Sequence, residues 1–189
     1  MSIWRTKPLS RWFEEAGIPK RGFIMLQRAL LLSVSLIVAA CAPYGGSGLR
    51  PGEARLEDVY LTMGQPAMRW QDPDGSLQLA YPRGPAGFDT FMVGLGSNGK
   101  LRYIENVLDV QHLANIRAGM CKEEVLRILG PSDANCTVYF KARDELVWDW
   151  RYRSISGEPT RMMVLFDNTS GRVRSTMIQP EPKGLLGGC

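Results

Sequence analysis

One pattern occurs twice in this chain and constrains what it can fold into. Leu49-Arg50-Pro51-Gly52 is followed by Glu57-Asp58-Val59, and Gly64 stands five residues after the valine. Ile116-Arg117-Ala118-Gly119 is followed by Glu123-Glu124-Val125, and Gly130 again stands five residues after the valine. The two closing glycines are 66 residues apart. Later, Asn98-Gly99-Lys100-Leu101-Arg102 is answered by Ser170-Gly171-Arg172-Val173-Arg174, with the glycines 72 apart. Similarity at both ends of a unit, in the same order, points to a duplicated supersecondary unit.

Each unit is expected to open with a short helix. Val125, Ile128 and Leu129 fall on one helical face, Glu123 and Glu124 sit in the first turn where the helix dipole favours acid, and Gly130-Pro131 ends it. Val59, Thr62 and Met63 repeat this before Gly64. Strand patterns follow. Trp148-Asp149-Trp150-Arg151-Tyr152 alternates, with three aromatics on one face. Arg161–Phe166 and Gly171–Ile178 flank a hairpin turn, as Phe91–Val93 and Lys100–Val107 flank Asn98-Gly99. Leu108–Asn115 reads as a linking helix. The expected fold class is therefore α+β: two tandem repeats, each with short helices packed on an antiparallel sheet of three to four strands. The first repeat spans residues 51–108 and the second 109–179.

The N-terminal region carries a different signal. An apolar-plus-Ser stretch runs 14 residues from Ala29 to Ala42, with Arg28 before it. It is shorter than the roughly 20 residues of a membrane span and fits the core of a secretory signal. It ends in Val38-Ala39-Ala40-Cys41, the pattern of a bacterial lipoprotein signal. Cleavage is expected between Ala40 and Cys41, with lipid on the Cys41 thiol. Residues 1–40 form the leader, and Met25 offers a second, tidier start. Ala42, rather than Asp, after the cysteine favours the outer membrane by the usual sorting rule. Residues 41–50, rich in Gly, read as a flexible tether. Residues 180–189, rich in Pro and Gly, read as a disordered tail.

Removing the leader changes the charge. Residues 1–40 hold six of the 23 basic and two of the 19 acidic residues, so 17 of each remain and the net charge is zero. A nucleic-acid partner is not expected without a basic footprint. Cys121 and Cys136 are the expected disulfide in an oxidising compartment, with two separately buried thiols as the alternative. A loop of this size would contribute about 3 kcal/mol. Cys189 is left over.

No catalytic residues, metal site or cofactor is expected. Gly94-Leu95-Gly96-Ser97-Asn98-Gly99 matches a dinucleotide-binding fingerprint, but a strand pattern follows where that motif needs a helix. His112 is the only histidine and reads as a surface or helix-packing residue. Trp148, Trp150 and Tyr152 are either core, if their face meets the helix, or a partner-binding patch, if it is open.

Gly119-Met120-Cys121-Lys122-Glu123-Glu124-Val125, with Leu129-Gly130-Pro131 closing it, resembles the signature of the SmpA/OmlA (BamE-like) lipoproteins. Cys121 departs from the Thr or Ser usual there, which removes a good N-cap acceptor. The tandem arrangement is also similar to the β-lactamase-inhibitor-protein type of fold. The first resemblance implies a non-enzymatic accessory scaffold in outer-membrane β-barrel assembly or envelope integrity. Such a scaffold would be anchored by lipid on the periplasmic face, with barrel-assembly components or another periplasmic protein as partner. The second implies a binding or inhibitor module for a soluble periplasmic enzyme.

Overall fold

The computed structural model describes residues 45–84 and 87–181. Helix α1 (Leu56–Met63) precedes strands β1 (Met68–Gln71), β2 (Leu77–Pro82), β3 (Thr90–Leu95) and β4 (Leu101–Asn106). Helices α2 (Val110–Leu113) and α3 (Lys122–Leu129) precede β5 (Val138–Phe140), β6 (Glu145–Arg153), β7 (Pro159–Asp167) and β8 (Val173–Pro180). The strands form two antiparallel sheets of four, ordered β1-β2-β3-β4 and β5-β6-β7-β8. The architecture is α+β, and both sheets belong to one compact unit.

The two eight-residue helices start and stop by the same chemistry. The Arg55 N–H donates to Asp58 Oδ2 at 2.8 Å, and the Cys121 N–H donates to Glu124 Oε2 at 2.7 Å. The Cys121 side chain makes no capping hydrogen bond. The acidic half of a capping box therefore stands alone. Both helices end at a glycine whose N–H returns to the carbonyl four residues back, from Gly64 to Tyr60 and from Gly130 to Leu126. Val59 and Val125 are both fully buried, which is what their shared place on an apolar helix face requires.

Each helix start is stitched to the strand after a hairpin turn. Gly52 N–H donates to the Leu101 carbonyl, and Gly119 N–H to the Val173 carbonyl, both at 2.8 Å. Single antiparallel bridges add Arg55 to Lys100 and Cys121 to Arg172. This pairing is why the two turn sequences recur with the two helix sequences. It also disposes of the dinucleotide fingerprint. Gly94 lies in β3 opposite Tyr103 of β4, and a Cβ on it would come 2.2 Å from the Tyr103 ring. The glycine makes room for a cross-strand aromatic, and β4, not a helix, follows Gly99.

Helix α1 packs Val59 and Met63 on one face of the first sheet with Leu79, Tyr81, Val93 and Leu101. Helix α3 packs Val125 and Leu129 on the second sheet with Trp150, Val164 and Phe166. It also touches the first sheet. Gln78 Nε2 donates to the Arg127 carbonyl at 2.8 Å, and Arg127 Nη1 lies 2.7 Å from Asp72 Oδ1. The expected linking helix shrinks to Val110–Leu113. Asp109 caps it by accepting the Gln111 and His112 N–H groups, both at 2.9 Å. It ends at once in tighter turns, where Asn115 and Ile116 bond the carbonyls three residues back.

The chain is already placed within both expected flexible ends. Leu49 packs against the first core. Pro180 pairs with Thr160 of β7.

Candidate functional site

Strand alternation assigns the two faces of the second sheet. Trp148, Trp150 and Tyr152 point toward α3. Trp150 and Tyr152 are 2% and 3% exposed, and the partly buried Trp148 stacks edge-on to Phe166 with centroids 4.7 Å apart. Lys122 Nζ sits 5.8 Å from the Trp148 ring centroid. The aromatics are core, so the partner-binding reading of these three residues is corrected. Alternation puts all three on one face; the docking of α3 decides that this face is closed.

The opposite face carries Val147, Asp149 and Arg151 of β6 beside Arg161, Met163 and Leu165 of β7. Cross-strand register adds Met177 and Gln179 of β8 and Val138 and Phe140 of β5. These side chains line a groove of about 400 Å³. Its apolar rim is open: Val138, Phe140 and Met177 are each more than two-fifths exposed.

The floor of the groove holds a buried charge cluster. Arg161 Nη1 is 3.1 Å from Asp149 Oδ1, and Arg161 Nε is 3.0 Å from Glu181 Oε1. Arg151 grips the same Glu181 through Nε at 2.5 Å and Nη2 at 2.7 Å. Its guanidinium also lies 4.2 Å from the Phe88 ring centroid. The hydrogen bonds from Arg151, with help from Arg161, hold the Glu181 carboxyl below its usual range. Glu181 in turn holds Arg151 more firmly protonated. Asp149 goes the other way. Burial pushes its pKa up, because Arg161 is shared with Glu181 and offsets only part of the desolvation. The guanidinium groups are bonded to carboxylates of the same chain. The cluster thus fastens β6, β7 and the C-terminal end of β8 together.

Cys136 opens onto this cluster. It closes the 3-10 turn Ala134–Cys136, which Asp133 caps by accepting the Asn135 N–H at 2.9 Å. Cys136 is disulfide-bonded, and its Sγ accepts a hydrogen bond from Arg161 Nη1 at 3.3 Å. Cys121 is a free thiol, so the expected Cys121–Cys136 bridge does not form. Cys121 is committed to the start of α3 and its bridge to Arg172, while Cys136 belongs to the groove on the far face of the sheet. The partner of Cys136 lies outside the described residues, as do Cys41, the Ala40–Cys41 junction and Cys189.

The remaining candidates are local. The His112 ring Nδ1 is 2.9 Å from Asp109 Oδ1, so it belongs to the cap of its own short helix. Among the described residues, no group of three or more His, Cys, Asp or Glu side chains is placed to hold a metal ion. Among the same residues, no helix is long and apolar enough to cross a membrane.

No protein-family model matches the chain, and no curated protein matches it. Two solved structures are similar in part. One is a Streptococcus mutans protein provisionally described as a beta-lactamase inhibitor protein. It is 12% identical, with 67% of this chain and 82% of that chain covered and a TM-score of 0.25. The other is an extracellular protein containing an SCP domain from Bacillus anthracis. It is 12% identical, with 70% of this chain and 44% of that chain covered and a TM-score of 0.25. At these TM-scores neither likeness bears on function.

Proposed function

We propose that the mature chain is a lipid-anchored, non-enzymatic lipoprotein on the periplasmic face of the outer membrane. Its role is that of a docking scaffold in β-barrel protein assembly. The observation that carries this reading is Val38-Ala39-Ala40-Cys41 at the end of a 14-residue apolar stretch. Lipid on the thiol and on the new amine would make attachment stable, since two anchoring signals suffice where one is marginal.

The two halves are read as copies of one BamE-like unit. The support is the matched helix starts, glycine stops, turn-to-helix stitching and buried Val59 and Val125 described above. The scaffold role rests on the resemblance of Gly119–Pro131 to the SmpA/OmlA signature.

Mass spectrometry of the N-terminal peptide tests the anchor. A Cys41 carrying acyl chains is expected, and an unmodified Cys41 or a chain retaining Met1 overturns it. Crosslinking in the native envelope tests the role. Capture of barrel-assembly components is expected, whereas capture of one soluble enzyme would make the chain an inhibitor or binding module instead.

A further inference from the structure

We propose that the outer edge of β8 docks a second copy of this chain, antiparallel about a twofold axis at Met177, so that two four-stranded sheets join into one. The proposal is independent of the lipid anchor.

β8 stands at one edge of the second sheet. The Glu181 N–H donates to the Pro159 carbonyl at 3.0 Å. By strand alternation Gln179, Met177 and Ser175 also turn their backbone groups to β7, where they lie opposite Arg161, Met163 and Leu165. Thr176 and Ile178 therefore turn their N–H and C=O groups outward. The start of this edge is covered. The Val173 N–H donates to the Met120 carbonyl, and the Val173 carbonyl accepts the Gly119 N–H, both at 2.8 Å. That cover ends where the register shifts at Leu165/Phe166. Among the described residues nothing bonds the backbone of Thr176 or Ile178 on the outer side.

The other sheet edges are short or charged, two devices that keep edges from pairing. β5 has three residues, β1 has four and carries Arg69, and β4 carries Arg102 and Glu105. β8 runs from Ser175 to Pro180 without a charge. Met177 is 48% exposed and Ile178 60%.

A second copy fits this window. Directly opposed, outward-facing residues of an antiparallel pair exchange both N–H···O=C bonds. The open window is bounded by the cover at Val173 and by Pro180, which has no N–H to give. One twofold register uses both outward residues of each copy: Thr176 opposite Ile178, and Ile178 opposite Thr176. Met177 then meets Met177 at the axis. On that face the paired methionines join the two grooves, and on the other each Ile178 packs beside a Thr176. A twofold sets residues near the axis against their own kind, so a charge there would face its like. None is present. Arg174 and Glu181, at either end, are bonded within their own chain to Asp167 and to Arg151 and Arg161.

Charge swapping at the axis tests the docking. In sedimentation of the full mature protein in detergent, the unaltered chain should be a dimer. Met177→Lys and Met177→Glu should each be monomers, and their equal mixture should be a dimer again. A monomeric unaltered chain overturns the proposal, as does a dimer that survives both charges or a mixture that stays monomeric. Met177→Cys in a Cys121→Ser background is the milder variant. Opposed residues of this kind lie about 4.5 Å apart at Cα, within disulfide range, so peptide mapping after oxidation should find the introduced thiols linked to each other. No such link overturns the twofold. A photocrosslinker placed at Ile178 in the native envelope should yield an adduct of two copies. An adduct with a different protein alone would make β8 an edge for a foreign strand and overturn the proposal.

Discussion

The indole Nε1 of Trp150 donates a hydrogen bond to the backbone carbonyl of Gly130, 3.3 Å away. The bond joins the middle of the second sheet to the residue that ends α3. Gly130 has φ +72°, and a Cβ there would stand 2.7 Å from Thr90 Cγ2 of the first sheet. One residue thus meets both sheets.

Gly130→Ala should therefore destabilise the mature protein by about 1–3 kcal/mol, from crowding and an unfavourable left-handed conformation. Urea unfolding checks it. Gly64→Ala is the comparison, because its added Cβ meets nothing within 4 Å and carries only the conformational cost. Equal losses in the two variants would mean that Thr90 yields freely.

Val125→Ala should cost about 1–3 kcal/mol without altering lipidation. Val59→Ala should cost a similar amount, since both valines are fully buried. An unchanged thermal midpoint in either variant would show that its helix is not docked.

Arg161→Ala should cost roughly 3–5 kcal/mol, the range for breaking a buried ion pair. The side chains of Arg161, Asp149 and Glu181 are 11%, 6% and 8% exposed. Removing the cation leaves Asp149 buried without its partner. A loss below about 0.5 kcal/mol in urea titration, typical of surface sites, would show that water replaces the guanidinium.

Acid should weaken the fold through Glu181 and Asp167. The Glu181 pKa is lowered from 4.5, so its contribution is complete above that value and disappears as pH falls through the folded pKa. Asp167 behaves alike. The Ser170 N–H, and then Arg174, bring it from 3.8 to about 2, so its contribution fades between those values. Asp149 has the opposite sign. Its pKa is raised from 3.8, so it favours the fold at low pH and loses that contribution as pH rises through the folded value. Unfolding titrations from pH 2.5 to 7 should show a shallower acid loss in Glu181→Gln and a steeper one in Asp149→Asn. Parallel profiles for the two variants would refute the assignment.

Much of the local structure was legible in the chain. Glycine stops, acidic first turns and apolar spacing located α1 and α3, because helix signals lie within a few residues of one another. Hairpin turns at Asn98-Gly99 and Ser170-Gly171 were legible for the same reason. The groove was not. Asp149 and Arg151 alternate with aromatics, and alternation alone does not say that their face is covered, yet Asp149 is 4% exposed. The one available signal was the run of apolar residues at Val147, Met163 and Leu165 on that same face, but their register was needed to see it.

By itself, the sequence determined where α1 and α3 stop, that the β6 aromatics share a face, and that the glycine fingerprint opens onto a strand, while β1, β2 and β5 carried no pattern that located them. Each of these depends on neighbours within one turn or one strand, where backbone sterics and side-chain period decide the outcome. Only the tertiary structure decided which face of the second sheet is closed, which cysteine is bonded, and where the buried charges meet. Asp149, Arg161 and Glu181 are separated by 12 and 20 residues, and Cys121 and Cys136 part company on opposite faces of one sheet. Such relationships arise when a helix docks and strands pair in register, and no local pattern encodes the packing that brings distant side chains out of water together.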